Sequence, residues 1–386
     1  METSMIFGIS ALLVACSIKE ATQTNIEPSS IPTPQTTLKN QNTMVQKDGT
    51  YSTMPLEKEE IILTVVQTDA DQIKDIAQAK EILKKNAEHM IAMGRKACSA
   101  EQKPDIILFH EFPLSGYFYG NRDQKLNMAI EIPGNESNML AEFAKECDAY
   151  VVFGAYAKDK DFPGHVLSIN TIIDRKGEIR KKVWKPRNIK RFYPTFEIST
   201  TTVETVQDRF REKYGLDDEF PVVQTEFGNL SVSTAQLDPL VFNVFGMKGT
   251  EIMLRTSTLF FQSDIVHTAM VNNYYSAMAN IPYDSPYGGQ SIIVSPNGET
   301  LAQVQSKTEE GFASTVIPIG EFRRNRTLPQ YSIALTHGVF SQYVEEIPPN
   351  HLDLPPKELP QNGKEMKKLL DQKSRWLKHD EKEQSE

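Results

Sequence analysis

Between residue 59 and about residue 320, short apolar runs rich in Val and Ile alternate with longer stretches of helical period. The runs Ile61–Gln67, Ile106–His110, Tyr150–Ala157, Ser168–Asp174, Leu230–Thr234, Glu251–Thr256, Ser291–Ser295 and Ala313–Pro318 have the length of strands. Turn residues such as Asn297-Gly298 bound them. Helical patterns fall at about 70–99, 137–147, 201–214, 239–247 and 264–278. Glu136 and Ser137 offer capping and N-terminal charge to the second of these. The segment from Asn170 to Lys185 reads as a hairpin turning at Lys176-Gly177. Strands that alternate with helices, and that are apolar on both faces, predict an α/β domain with a largely buried sheet. There is no internal repeat.

The periodicity fails at both ends. Residues 17–58 are rich in Thr, Gln, Asn, Ser and Pro and predict a flexible tether. Ahead of them, the apolar run from Met5 to Ala15 is too short to span a bilayer but matches the core of a signal segment. It ends in Leu13-Val14-Ala15-Cys16, which resembles the bacterial lipobox. That likeness implies cleavage before Cys16, lipidation of its thiol, and a membrane-anchored protein facing outward from the cell envelope. The segment departs from the signal pattern in carrying Glu2 and no Lys or Arg, so an unprocessed apolar N-terminus is the alternative. Residues 361–386 are strongly charged, and Leu369, Leu370, Trp376 and Leu377 would form one stripe of a tail helix. The division is a signal at 1–16, a tether at 17–58, a domain at 59–325 and an extension at 326–386.

Composition narrows the classes. With 386 residues and 39% hydrophobic content, the chain can bury a sizeable core. A net charge of −9 argues against a nucleic-acid partner, since phosphate binding requires a basic surface. Of three cysteines, Cys98 and Cys147 remain if Cys16 is lipidated, and they can pair in an oxidising compartment. No Cys or His spacing suggests a metal site.

Three segments carry candidate chemistry. In the first, a buried strand runs from Asp105 into Glu111 and a turn at Gly116-Tyr117, placing a carboxylate at a sheet edge. In the second, Lys185 closes the basic strand of the hairpin; alone it would read as a solvated charge. In the third, Gly228 to Pro239 forms a strand and turn ahead of a helix and of Lys248-Gly249-Thr250-Glu251.

In this order the segments resemble the nitrilase superfamily, the carbon–nitrogen hydrolases. Ala279-Asn280, Gly289-Gln290-Ser291 and Pro296-Asn297-Gly298-Glu299 extend the likeness over about residues 59–325. The resemblance implies an αββα sandwich, no metal or cofactor, and a homo-oligomer, dimeric or larger. It also implies a triad: a thiolate attacks an amide or nitrile carbon, a glutamate moves protons and a lysine stabilises the oxyanion. Glu111 and Lys185 match two members. The cysteine position falls on Ala235 when counted from Gly228 and on Ser233 when counted back from Pro239. Neither is a cysteine.

The expectation is therefore a pseudoenzyme that binds a small amide- or carboxylate-like ligand or a partner. The alternatives are a hydrolase using Ser233 or a Glu111-activated water, and a structural surface module. Tyr117 and Glu197 are candidate binding residues. Tyr119, Trp184, Phe192, Tyr193 and Phe196 are aromatic candidates for the pocket, with a core role as the simpler reading.

Overall fold

The computed structural model describes residues 45, 46, 48–118, 120–189 and 200–377. The N-terminal signal with Cys16, most of the tether, Tyr119, Phe192, Tyr193, Phe196 and Glu197 lie outside the described residues.

Two sheets stack face to face. The first contains β1 (Ile61–Gln67), β2 (Ile106–Leu108), β3 (Tyr150–Ala157), β4 (Val166–Ile173), β5 (Ile179–Trp184) and β6 (Thr200–Thr201). The second contains β7 (Val223–Thr225), β8 (Gly228–Ser233), β9 (Ile252–Thr256), β10 (Tyr275–Ala279), β11 (Ile292–Val294) and β12 (Thr300–Gln303). The chain then returns to the first sheet as β13 (Gly311–Ile317), antiparallel to β1 with Ile61 opposite Ile317. The orders are β13-β1-β2-β3-β4-β5, with β6 beside β4, and β12-β11-β10-β9-β8-β7.

The period-2 alternation within each strand builds three packed interfaces. Leu63, Val65, Leu108, Val152, Ile172 and Val183 of the first sheet meet Leu230, Val232, Leu254, Ala277 and Ile293 of the second. Their neighbours point the other way. Val66, Ile107, Val151, Phe153 and Ile173 pack under α1 (Ala79–Cys98), α2 (Arg122–Met128), α3 (Asn135–Cys147) and α4 (Gln207–Tyr214). Met253, Met278, Ile292 and Val294 pack under α5 (Pro239–Met247) and α6 (Gln262–Asn272). Helix, sheet, sheet and helix give the four-layered αββα arrangement, and strands covered on both faces explain the near-continuous apolar runs.

Several elements depart from the sequence expectation: the helices expected over 70–99 and 201–214 begin only at Ala79 and Gln207. The helix expected over 264–278 stops at Asn272, because Asn273 adopts a left-handed conformation (φ 47°) that ends it. Tyr275–Ala279 is then β10, parallel to β9. Helix α3 begins at Asn135 after Gly134; Ser137 Oγ accepts from Gly134 N at 2.8 Å, while Glu136 supplies first-turn charge. The last part of the tether is docked: Asn229 donates to Ser52 O, Tyr51 Oη donates to Glu251, and Glu57 N donates to Glu226 O.

After α7 (Ile319–Asn325) and α8 (Ile333–Phe340), the extension folds back along the domain. Leu352 N donates to Thr205 O, and Arg122 binds the carbonyls of Pro360 and Gln361. The tail helix is α9 (Gly363–Lys373), which buries Met366 and Leu370 against Leu352 and Leu359. It ends before Trp376 and Leu377, both exposed, so the expected four-residue stripe stops at Leu370.

Cys98 and Cys147, at the C-terminal ends of α1 and α3, form a disulfide with Cα atoms 6.0 Å apart. Both lie in the helical layer outside the first sheet.

Candidate active site

Glu111 follows β2, where the chain leaves the sheet. Phe109 N still donates to Val152 O, and Gly154 N donates to His110 O, so the turn is held against β3. Gly154 is required by close approach: a Cβ there would lie 2.4 Å from the Glu111 carbonyl oxygen. His110 is fully buried and bonds Thr68 O through Nε2 at 2.9 Å, with Phe112 N directed at its Nδ1. Burial pushes its imidazole down to about 3 from 6.5, so the ring is neutral and braces both sides of Glu111.

Lys185 follows β5. Its N donates to Ser168 O, and its own carbonyl accepts from Val203 N. Valine at 183 points between the sheets, and alternation turns Lys185 the same way. The ammonium lies 3.4 Å from Glu111 Oε1, with the side chains 2% and 5% exposed. Ser168 Oγ approaches the same oxygen at 3.4 Å, and Thr258 Oγ1 donates to Oε2 at 3.1 Å. A buried ion pair of this kind is held by such additional donors, since desolvating two charges offsets much of their attraction.

The third segment behaves differently. In β8, Leu230 and Val232 face the first sheet, whereas Ser231 and Ser233 alternate toward the helices. Ser233 Oγ accepts from Ala235 N at 3.1 Å, and Ala235 packs with Val241, Phe242 and Phe245 of α5. Its carbonyl accepts from Arg255, whose guanidinium also pairs with Asp264. The structure thus brings Glu111 and Lys185 together, whereas Ser233 falls on the other face of β8 and Ala235, past the end of that strand, packs against α5.

Tyr117 packs edge-on to Phe112, with the Lys125 ammonium 5.6 Å from its ring centre, in the layer outside the first sheet. Trp184 joins Phe162 and Phe210 in that layer, a core role. Among the described residues, His110, Ser168 and Thr258 also stand around the pair, and the sequence pattern did not single them out. The two-residue period of β4 was the available signal for Ser168, since it places Ser168, Asn170 and Ile172 on one face. Among the described residues no group of His, Cys, Asp and Glu is arranged to hold a metal ion.

The carbon–nitrogen hydrolase family model matches residues 63–326, which contain both sheets and the Glu111–Lys185 pair. Similar folds occur in solved structures. A double mutant of the amidase from Nesterenkonia sp. AN1, in complex with acrylamide, is 15% identical with a TM-score of 0.54, covering 74% of this chain and 99% of that one. Another form of the amidase from Nesterenkonia sp. AN1 carries the acetamide moiety of fluoroacetamide on its active-site cysteine. It is 14% identical with a TM-score of 0.54, covering 74% of this chain and 99% of that chain. The C. elegans NitFhit protein is 18% identical with a TM-score of 0.54, covering 75% of this chain and 66% of that one. With a family model spanning most of the chain and a fold of two sheets between helical layers, this chain belongs to the carbon–nitrogen hydrolase family.

Proposed function

We propose that this protein is a pseudoenzyme of its family: it binds a small amide- or carboxylate-like ligand between Glu111 and Lys185 without forming a covalent intermediate. One observation carries this reading. The chain has three cysteines, two of them are joined in a disulfide in the outer helical layer, and the Gly228–Pro239 segment has none. Acyl transfer by the family's route requires a thiolate within reach of the acid–base pair. Alanine at 235 has no lone pair, and the Ser233 hydroxyl, on the helix-facing side of β8, is engaged by Ala235 N. The remaining pair offers a carboxylate acceptor and an ammonium donor, enough to orient a polar group.

The same proposal places the protein at the cell envelope through a lipid on Cys16. The disulfide supports an oxidising compartment, because thiols in reducing compartments stay unpaired. Homo-oligomerisation remains part of the proposal on family resemblance.

The test is ammonia release from simple amides and nitriles by the wild type, Glu111→Gln, Ser233→Ala and Ala235→Cys. No release above background by the wild type is expected. Release that is lost in both Glu111→Gln and Ser233→Ala would overturn the pseudoenzyme reading in favour of a serine hydrolase. For the anchor, metabolic labelling with a radiolabelled fatty acid should mark the wild type and not Cys16→Ser; an unlabelled wild type contradicts it.

A further inference from the structure

No side chain of α8 (Ile333–Phe340) is buried. The helix contains no Asp, Glu, Lys or Arg, and every residue in it except Thr336 is exposed. Leu335 is 80% exposed and Val339 72%, with Ile333 and Phe340 about half exposed. The apolar surface continues past the helix. Trp376 Nε1 donates to Val344 O at 2.8 Å, which sets a half-exposed indole beside the exposed side chains of Tyr343 and Val344. Exposed apolar surface gathered in this way marks a contact site. The segment that the sequence reads as a tether arrives at the root of the same helix. Val45, the first described residue, is bridged to Tyr51, and the Tyr51 ring lies against Gly249. Nearby on the chain, Gly246 lies against the Tyr331 hydroxyl, which donates to Asn272 Oδ1, and Tyr331 O accepts from Ile333 N at the start of α8. Arg326 joins the two: its guanidinium is 5.1 Å from the Tyr51 ring centre and donates to the carbonyls of Asn272 and Asn273. The entering arm and the start of α8 are thus both fixed at the C-terminal ends of α5 and α6.

We propose that α8, with Tyr343, Val344 and Trp376, docks on the surface of the phospholipid bilayer that holds the lipid of Cys16, lying in its interface without crossing it. The inference rests on the proposed anchor and adds a contact made by the folded domain. The dimensions fit a surface. A helix of eight residues is about 12 Å long, against about 30 Å for the hydrocarbon core of a bilayer. Its whole lateral surface is on the order of 400 Å², half of the roughly 800 Å² per partner that a stable protein interface takes. A second copy would therefore gain too little from it. The chemistry fits as well. Tyr343 and Trp376 each join an apolar ring to a polar edge, the combination that favours the level of the lipid headgroups. The tether does the rest, because holding α8 close to the surface gives it a high effective concentration there. A contact too weak to recruit the protein from solution is then populated. With no charged residue in the helix, the contact is apolar, so it forms on zwitterionic lipid and survives high salt.

The chain has two tryptophans, and Trp184 is buried in the core, so Trp376 reports the contact. The test uses the full lipidated chain in phosphatidylcholine vesicles with brominated acyl chains, which quench a tryptophan that lies among them. Wild-type Trp376 should be quenched relative to unbrominated vesicles, and equally so at low and high salt. Leu335→Ser and Val339→Ser should each shift the docked population by about tenfold, and the double variant should lose the quenching. The variants should melt at the wild-type temperature, because these side chains face solvent. A drop of several degrees would mean that α8 packs on its own domain, and overturns the inference. So does quenching retained in the double variant. An unquenched wild type that carries the fatty-acid label overturns the inference and leaves the proposed anchor standing. A wild type without that label overturns the anchor and the inference together. A dimer in detergent solution that the double variant dissociates gives this face to a second copy and also overturns the inference.

Discussion

Glu111 and Lys185 form a nearly buried ion pair. Removing the carboxylate takes a buried countercharge from the ammonium, so Glu111→Ala should cost about 3–5 kcal/mol of stability. The double variant Glu111→Leu/Lys185→Met should recover most of that loss in denaturant titrations. Equal damage in single and double variants would mean that the pair is not coupled. His110 acts at the same scale with a pH signature. Its folded value of about 3 lies below the usual 6.5, so the unfolded chain binds the extra proton between these limits. Stability is therefore fully present above pH 6.5 and falls as pH drops toward 3. His165 adds to the slope, since burial and then the Arg209 and Arg122 charges also bring it to about 3. Replacing His110 by Gln should reduce the slope of unfolding free energy by about 1.4 kcal/mol per pH unit in that window. Denaturant titrations at pH 4.5 and 6 read it, and an unchanged slope contradicts the assignment.

At the scale of elements, the strands were legible because sheets covered on both faces impose continuous apolar runs. The run Ile61–Gln67 fell on β1 at both boundaries. β10 was hidden because only Asn273, left-handed, and Tyr274 separate α6 from a strand whose apolar run continues the helical pattern. The site was half legible. Glu111 and Lys185 were marked by their motifs, and the β8 segment was found, but period 2 says only which residues share a face and not which face meets the partner sheet. β8 ends at Ser233, so Ala235 lies past the strand, and its packing against α5 turns it outward. The covalent link between α1 and α3 was an open possibility from sequence, because the distance between two helix ends is a tertiary quantity. With its cysteines 49 positions apart in sequence, it should contribute about 4 kcal/mol through the unfolded chain. Unfolding with and without reductant measures this, with Cys98→Ala/Cys147→Ala expected to match the reduced protein. A reductant-insensitive midpoint with two titratable thiols would contradict it.

For the whole molecule, the C-terminal extension is part of the domain's packing. It supplies carbonyls to Arg122, main-chain bonds to residues 204 and 205, and an apolar cluster of its own. Ending the chain at residue 344 should lower the melting temperature by several degrees and expose α2 and α4 to proteolysis; a truncated protein as stable as the full chain would contradict this. The central claim, however, concerns what the molecule does with a ligand held at Glu111 and Lys185. Its most direct measurement is the carbon-13 spectrum of carbonyl-labelled propionamide followed over time with the full chain. The account predicts a carboxamide signal broadened by the wild type, unbroadened by Glu111→Gln, and never converted to propionate. Conversion to propionate by the wild type, lost in Glu111→Gln, would contradict it.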